Sequence, residues 1–305
     1  MDLSLGIDAV ENIDIEKFNH CYFNTQKPLV IKGLSKDTSA GVKWSIEYFK
    51  EIVGNVMVDV YDNSNKKSAK SAFTVPDLKM QFSEYLDILT TNEHTDLRIF
   101  LFDLFKYNSR LKKDFPCPDI FKGILDNFAH MFFGSKDTTV RIHYDIDMSN
   151  VLLTQFGGKK RVVLIAPEYT SLLYCLPLNT YSLIDPDKPD YKKYPALKHI
   201  KGYDFILDPG DSLFMPSGYW HYMTYLESGF SVSYRRIGPT LKSPLQGLIN
   251  LGLYMPADKL LNKVMNDKWL TLKEQIAERR IHKLALGKDI FCNEWKTINP
   301  SNHIN

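Results

Sequence analysis

The sequence predicts a mainly β protein whose core is an antiparallel sandwich or barrel. Between residues 130 and 236 the chain is a succession of short strand-like segments, separated by turn sequences such as Gly157-Gly158 and Asp208-Pro209-Gly210-Asp211. Many short strands with this punctuation are typical of all-β cores rather than of parallel α/β sheets. After residue 236, apolar residues recur at helical spacing, which predicts a helical module.

The region before this core is predicted to mix short strands and helices. Residues 27–33 form an apolar run between proline and glycine and predict a strand, and residues 56–61 alternate in polarity as a half-buried strand does. Residues 44–53 carry apolar side chains at helical spacing, and residues 74–89 are also predicted to be helical. Residues 63–71 are polar and predict a loop.

Two later segments are predicted to carry specificity or assembly. The connection 168–200 is rich in proline and tyrosine, and a connection of that length usually has a functional role. The C-terminal helices carry three apolar stripes: Leu245, Leu248 and Ile249; Leu260, Leu261, Val264 and Met265; and Leu272, Ile276 and Leu284. These stripes either cover the barrel's own sheet or form a homodimer interface.

Charge, apolar content and cysteine spacing exclude several classes of protein. The chain has 305 residues, with 38 basic and 36 acidic side chains, so no nucleic-acid partner and no membrane surface is expected. No apolar run is long enough to cross a bilayer, and the N-terminus does not resemble a secretory signal. Cys21, Cys117, Cys175 and Cys292 show no paired spacing. We therefore expect free thiols and a cytoplasmic protein.

One motif in the predicted β region carries the chemistry of a metal site. In Arg141-Ile142-His143-Tyr144-Asp145, residues two apart on a strand share one face, so His143 and Asp145 converge. His221, directly after the turn Pro216-Ser217-Gly218 and Tyr219-Trp220, offers a third ligand. Two histidines and one carboxylate form the facial triad of non-haem Fe(II) oxygenases, which leaves coordination positions open.

A His-x-Asp triplet is weak support by itself, because it arises easily by chance. His94-Thr95-Asp96 is a second copy in this chain, and it lies in a polar stretch without a flanking strand. We interpret that copy as a solvated loop. Spacing alone leaves the metal site and a chance pattern about equally supported.

The segment 133–236 resembles the JmjC and cupin-like family of 2-oxoglutarate-dependent oxygenases. The resemblance is nearest to the branch containing the asparaginyl hydroxylase that inhibits hypoxia-inducible factor. The motifs that carry it occur in this order: His143-Tyr144-Asp145, Asn150 with Gln155 and Gly158-x-Lys160, Lys188-Pro189-Asp190-Tyr191, Gly202-Tyr203, Pro209-Gly210-Asp211 and Trp220-His221. The segment 27–33 also resembles the family's entry strand. The C-terminal segment resembles the family only in being helical, without a matching motif.

The resemblance implies a role for each matching residue. His143, Asp145 and His221 would bind Fe(II) and form the catalytic centre, and Lys160 would pair with the distal carboxylate of 2-oxoglutarate. Lys159, which points the other way on a strand, would be solvated. Asn150 and Thr139 would also contact the cosubstrate.

The sequence departs from the family pattern at the secondary cosubstrate contacts. Val140 stands where the family often has threonine three residues before the first histidine, which is why we place Thr139 in the site. Phe100 stands where a tyrosine often assists the lysine. The asparagine often found late in the last strand is also replaced, in the segment 233–235.

The resemblance further implies a double-stranded β-helix (jelly-roll, cupin-like) core. We expect residues 1–128 to flank and complete the barrel, residues 129–238 to form the catalytic core, and residues 239–305 to form the helical module. The implied reaction hydroxylates a C–H bond, in a protein or peptide side chain, with release of succinate and carbon dioxide. The alternatives are a catalytically silent cupin that binds a ligand, and a metal-dependent isomerase or hydrolase.

Overall fold

The computed structural model describes residues 1–64 and 76–287, with the side chains of 282–287 excepted. In these ranges the strands are Asp8–Val10 (β1), Leu29–Ile31 (β2), Met57–Asp62 (β3), Leu78–Gln81 (β4), Leu97–Phe102 (β5), Ala129–Gly134 (β6), Thr139–His143 (β7), Asn150–Gly157 (β8), Lys160–Ile165 (β9), Gly202–Leu207 (β10), Ser212–Met215 (β11), Trp220–Tyr225 (β12) and Gly229–Arg236 (β13). The α-helices are Ile15–Phe18 (α1), Ser39–Lys43 (α2), Ile46–Val53 (α3), Phe82–Thr90 (α4), Ser109–Asp114 (α5), Lys242–Ile249 (α6), Met255–Met265 (α7) and Asp267–Gly287 (α8).

The strands form two sheets that pack face to face. The larger sheet has the order β1-β2-β11-β8-β13-β6-β5-β3-β4, and the smaller has the order β10-β9-β12-β7. One cluster of buried side chains draws on both sheets, with Val151 and Leu213 from the larger and Val162, Leu164 and Met223 from the smaller. Apart from the parallel β1–β2 pair, the neighbouring strands are antiparallel. The predicted jelly-roll core is therefore confirmed.

The N-terminal strands extend the larger sheet at both ends. β2 pairs with β11, and β5 pairs with β6, so the segment before the core completes the sheet of the core. The outer face of this sheet is closed by an aromatic cluster in which Phe49 meets Phe133 and Phe230 edge to face, at ring-centroid distances of 5.9 Å and 5.1 Å.

The prediction of one helix over residues 74–89 is wrong at residues 78–81. Residues 78–81 form β4, which pairs with β3 from Met57↔Gln81 to Val60↔Leu78, and α4 begins only at Phe82. The buried side chains that produce the helical period, Phe82, Tyr85, Leu86 and Leu89, all lie inside α4. The strand partner is distant in sequence, so local periodicity could not reveal it. Residues 65–75, most of the predicted polar loop, lie outside the described residues.

The C-terminal helices bury fewer apolar side chains than the stripes suggest. α8 buries Trp269, Ala277 and Ile281, and a fully buried ion pair joins Lys273 Nζ to Asp258 Oδ1 at 2.9 Å. Leu245, Leu248, Leu253, Leu260 and Val264 on α6, α7 and the turn between them are exposed. The reading in which every stripe covers the barrel is therefore wrong for these residues. The side chain of Leu284 and all of Cys292 lie outside the described residues.

Two further predictions from the sequence concern the cysteines and membrane-spanning segments, and both can be compared with the described residues. Cys21, Cys117 and Cys175 are free thiols, as predicted. None of the described helices combines the length and the apolarity needed to cross a membrane.

Candidate metal centre

Two neighbouring strands of the smaller sheet bring the predicted histidines together. His143, the last residue of β7, is the register partner of His221 in β12, and their ring centroids are 4.1 Å apart. The register then shifts, because Val140 rather than Arg141 pairs with Met223. This bulge places one extra residue in β7 next to the site, a position where bulges commonly redirect side chains.

Backbone carbonyls fix the orientation of both imidazole rings. The Nδ1 atom of His143 lies 2.8 Å from the carbonyl oxygen of Arg141, and Nδ1 of His221 lies 3.1 Å from that of Tyr219. A carbonyl oxygen can only accept, so each Nδ1 must donate and each Nε2 keeps its lone pair. Such outer contacts commonly set the tautomer of metal-binding histidines.

Asp145 presents one carboxylate oxygen to the histidines and the other to an arginine. Its Oδ1 lies 3.9 Å from Nε2 of His143, while Oδ2 accepts a 3.2 Å hydrogen bond from Nη1 of Arg235. Arg235 also binds Asp147, at 2.9 Å, and Ser149. Arg235 therefore anchors the carboxylate and leaves one oxygen available as a ligand.

The local electrostatics favour the ligand forms of all three side chains. Burial lowers the pKa of His143 to about 3, with a contribution from neighbouring His221, and burial also lowers the pKa of His221. Burial alone would raise the pKa of Asp145, but the positive charge of Arg235, its hydrogen bond to the carboxylate and the neighbouring histidines together outweigh burial and hold that pKa below its ordinary value. At neutral pH the site thus contains two neutral imidazoles and one carboxylate, the forms that bind metals.

The donor set fits a divalent metal. The ligand atoms of His143, Asp145 and His221 lie within 4.8 Å of one another, and in the described part of the chain no other group of three His, Cys, Asp or Glu side chains does so. The second triplet is different: His94 is exposed, and its Nε2 lies 3.7 Å from Asp96 Oδ1. Two histidines and one carboxylate leave coordination positions open for other ligands, as non-haem Fe(II) sites require.

The triad opens into a cavity of about 520 Å³. This volume is within the range of small-molecule sites, about 300–1,000 Å³. The wall near the metal site is apolar and includes Val151, Leu153, Met215 and Met223. The cavity can therefore hold a ligand beside the triad and exclude water around it.

Lys160 lies in this cavity as a buried cation without a carboxylate partner in the described ranges. Its side chain is only 2% exposed, its Nζ donates to Ser231 Oγ at 2.8 Å, and the same atom lies 4.2 Å from the centre of the Tyr225 ring. Burial lowers its pKa to about 7. Lys159, by contrast, is exposed and lies 3.7 Å from Asp208. A bound carboxylate would supply the charge that Lys160 lacks.

A tight turn places Lys160 at this position. Gly158 precedes it with φ of +66°, and a Cβ atom there would lie 2.5 Å from the carbonyl oxygen of Ser228. Only glycine fits such a conformation without strain. Gln155 donates to the carbonyls of Gly157 and Gly158, so this family-like residue supports the turn rather than lining the cavity.

Of the other site residues predicted from the sequence, some line the cavity and others lie outside it. Thr139 and Phe100 line the cavity. Asn150 is buried outside the cavity lining, and its side-chain oxygen accepts from the backbone of Ser217 at 2.9 Å. Tyr191 of the Lys188–Tyr191 motif also lies outside the lining, and its hydroxyl binds the N-terminal amine. The geometry therefore does not bring Asn150 together with Lys160.

Sequence reasoning missed several residues that line the site. Tyr181, from the connection 168–200, stacks on His143 with a centroid distance of 5.3 Å. Arg141 also lines the cavity, and its position two residues before His143 in the motif is the sequence signal that could have found it. Arg98 and Arg235 also line the cavity. No local sequence signal marks these two, because their position depends on strand pairing across the fold.

Comparisons with known proteins show which family the chain resembles. A sequence model of the cupin-like domain family matches residues 15–236. The chain is 26% identical over 242 residues to lysine-specific demethylase 8 of Xenopus tropicalis, covering 77% of this chain and 53% of that protein. It is 27% identical over 252 residues to tRNA wybutosine-synthesizing protein 5 of Homo sapiens, covering 75% and 77%.

A third relative is Jumonji C domain-containing protein 5 of Drosophila melanogaster, 28% identical over 240 residues, covering 75% of this chain and 59% of that protein. The chain spans about half the length of the demethylase relatives that it matches. The predicted closeness to the asparaginyl hydroxylase branch stays a prediction.

The metal site predicts a clear result for histidine substitution. The metal-free protein should bind one Co(II) or Mn(II) per chain, and His143→Ala or His221→Ala should abolish that binding, because two ligands cannot hold the ion at this site. His94→Ala, in the second triplet, should bind like the unmodified protein. Titration followed by visible or EPR spectroscopy measures this. Loss of binding in His94→Ala, or full binding in His221→Ala, would contradict the assignment.

Proposed function

The chain belongs to the JmjC and cupin-like family of Fe(II)- and 2-oxoglutarate-dependent oxygenases, and from this premise we propose that it hydroxylates a C–H bond of an organic substrate. The single observation that carries the proposal is the position of Lys160, a buried amine with no carboxylate partner among the described residues, in the same cavity as the His143, Asp145 and His221 triad. A metal site alone would serve many reactions, whereas a metal site beside a buried cation suits a 2-oxo dicarboxylate.

The proposed reaction consumes one substrate, one 2-oxoglutarate and one dioxygen. It yields the hydroxylated substrate, succinate and carbon dioxide, so that one oxygen atom enters the new hydroxyl and the other enters succinate. Bound Fe(II) would supply oxygen activation coupled to decarboxylation.

The chain's own residues bind and orient the reactants in this proposal. His143, His221 and Oδ1 of Asp145 hold the metal, and Arg235 keeps the carboxylate in place. Lys160 binds the distal carboxylate and so fixes the direction in which 2-oxoglutarate lies. The apolar wall of the cavity excludes water from the reacting atoms. Thr139 remains a proposed cosubstrate contact, since it lines the same cavity.

Lys160 and the triad each argue against one of the two alternatives. An isomerase or hydrolase on the same barrel needs no buried cation for a distal carboxylate. A silent binding module would have no need for three side chains in their metal-binding forms. The substrate, proposed from sequence as a protein or peptide side chain, is not specified by the relatives' names, which refer to a demethylase and a tRNA-modifying protein.

We also propose that the module formed by residues 239–305 makes a homodimer. The exposed apolar residues of α6, α7 and the turn between them form a surface that a second copy of the chain could cover. The cytoplasmic compartment and the domain division 1–128, 129–238 and 239–305 stay predictions.

The two neighbouring lysines should differ strongly in their effect on cosubstrate binding. Lys160→Ala should weaken 2-oxoglutarate binding by about tenfold to more than a hundredfold, because a charge-assisted contact in a dry cavity contributes roughly 1.5–3 kcal/mol. Lys159→Ala is the matched control and should leave the affinity unchanged. Calorimetry with Mn(II)-loaded protein measures both variants. Equal effects would show that Lys160 does not bind the carboxylate.

Cosubstrate binding should also depend on pH through Lys160. Burial lowers the pKa of this amine to about 7, so above pH 7 the free protein holds it mostly neutral. The dianion binds the charged amine, so binding above pH 7 should take up a proton, and affinity should fall by up to tenfold per pH unit. Calorimetry in buffers of different ionisation enthalpy measures the uptake. A Lys160→Met variant should show none, and uptake that persists in this variant would contradict the assignment.

The homodimer proposal predicts the mass in solution. Light scattering at micromolar concentration should give twice the chain mass of 35.3 kDa. Leu260→Glu with Val264→Glu should yield single chains, because these exposed side chains would be buried in an interface of roughly 2,000 Å² or more. The sequence stripe also includes Leu261 and Met265, which are less exposed.

Val42→Glu, an equally exposed apolar site on α2, is the control and should keep the dimer. A mass of 35.3 kDa for the unmodified protein would contradict the homodimer proposal.

A further inference from the structure

We propose that Arg98 and Arg141 form a second anion site in the cavity, separate from Lys160, which binds an oxyanion group of the substrate. The group is a phosphate or a carboxylate carried on an apolar body. This inference rests on the proposed function, in which Lys160 is occupied by 2-oxoglutarate. It names the substrate class that the same cavity accepts.

Arg141 lies beside the metal centre with its charge unpaired. It is in β7, two residues before His143, and it lines the cavity. Its guanidinium carbon lies 5.1 Å from the centre of the Tyr181 ring, and Tyr181 in turn stacks on His143. No carboxylate of the described residues forms an ion pair with Arg141. A guanidinium that lies over an aromatic ring can still donate from its N–H groups, which point outward in its own plane.

Arg98 reaches the same cavity from the larger sheet. Its Nε donates to Oδ1 of Asn63 at 2.8 Å, and its guanidinium carbon lies 4.7 Å from the centre of the Phe100 ring. Asn63 also donates through Nδ2 to the backbone oxygen of Thr139 in β7. This amide therefore ties Arg98 to the strand that carries Arg141 and His143. Within the described ranges Arg98, too, has no carboxylate partner.

Among the described residues that line the cavity, the charges do not balance. The cations are Lys160, Arg98, Arg141 and Arg235, and the carboxylates are those of Asp145 and Asp147. Arg235 binds both carboxylates, and Fe(II) with dianionic 2-oxoglutarate adds no net charge. Two guanidinium charges remain in a partly dry site, where an unpaired charge is costly. A phosphate monoester, with about −1.5 to −2 charges near pH 7, balances them better than one carboxylate does.

The remaining lining indicates the body that carries the oxyanion. Away from the metal, the cavity is lined by apolar side chains, and Phe128 and Leu101 among them are exposed to solvent. Leu125, Phe132 and Leu251 line the same space. An apolar or aromatic group beside the oxyanion would therefore bury its surface here. Arginine pairs bind such oxyanions through parallel N–H donors, which also fixes the orientation of the ligand.

The test uses full-length protein loaded with Zn(II) and saturated with N-oxalylglycine, the inert amide isostere of 2-oxoglutarate. Phenyl phosphate, phenylacetate and neutral 2-phenylacetamide are then titrated by calorimetry. We expect phenyl phosphate to bind more tightly than phenylacetate, and phenylacetamide to bind at least tenfold more weakly than phenyl phosphate. Equal affinity for the three probes would overturn the proposal.

Substitutions of the two arginines test whether phenyl phosphate binds at this site. Arg98→Gln and Arg141→Gln should each weaken phenyl phosphate by about tenfold or more. Both should keep the affinity for N-oxalylglycine, which also reports that the variants are folded. Arg141→Lys should recover part of the loss, because it keeps the charge without the planar fork. Arg110→Gln, at an exposed arginine on α5, is the control and should change neither ligand.

The two proposals fail in different ways. If Arg98→Gln and Arg141→Gln weaken N-oxalylglycine as much as Lys160→Ala does, the arginines belong to the cosubstrate site, and the second anion site is overturned while the proposed function stands. If the unmodified protein does not bind N-oxalylglycine, the proposed function fails. The arginine site is then tested by phenyl phosphate with the Zn(II)-loaded protein alone, where insensitivity to both variants overturns it.

Discussion

The chemistry of this protein depends on one buried lysine amine, which carries its positive charge when an anionic ligand is bound. Lys160 is enclosed by the jelly roll, and a hydroxyl and an aromatic ring replace the water that a lysine ammonium ordinarily keeps. These contacts stabilise the charged amine less than a carboxylate would, so burial lowers the pKa of Lys160 toward neutrality. A cation held in this condition is poised for an anionic ligand. Its position in the metal-site cavity links the fold to 2-oxoglutarate.

In the metal centre, each ligand is held in place by a group that does not itself bind the metal. Backbone carbonyls orient His143 and His221, and Arg235 restrains one oxygen of Asp145. The register between β7 and β12 brings the two rings together, and the bulge beside it adjusts the strand that ends at His143. The donor set is therefore arranged by the sheet rather than by the side chains alone.

Local periodicity was sufficient for the residues that act through their own strand. The period of two separated Lys160 from Lys159, and turn sequences marked the core strands. His143 and Asp145 do come together, but β7 ends at His143, so Asp145 lies in the segment after the strand and the period does not explain its position. The same reasoning failed at residues 78–81, where pairing with β3 decides the structure, and it did not detect Arg98 or Arg235. Asn150 shows the limit of a motif: its position in the sequence resembles the family, yet its side chain binds the Ser217 backbone outside the cavity.

The most direct test of the account is to follow succinate formation from 2-oxoglutarate under air with Fe(II)-loaded protein and ascorbate, which supplies the two electrons that the hydroxylated substrate would otherwise supply. The account predicts oxygen-dependent succinate, formed in equal amount to the 2-oxoglutarate consumed, by the unmodified protein and by His94→Ala. His143→Ala should form none, since it lacks a metal ligand. Failure of the unmodified protein to form succinate, or equal succinate from His143→Ala, would contradict the assignment of this cavity as an Fe(II)- and 2-oxoglutarate-dependent oxygenase site.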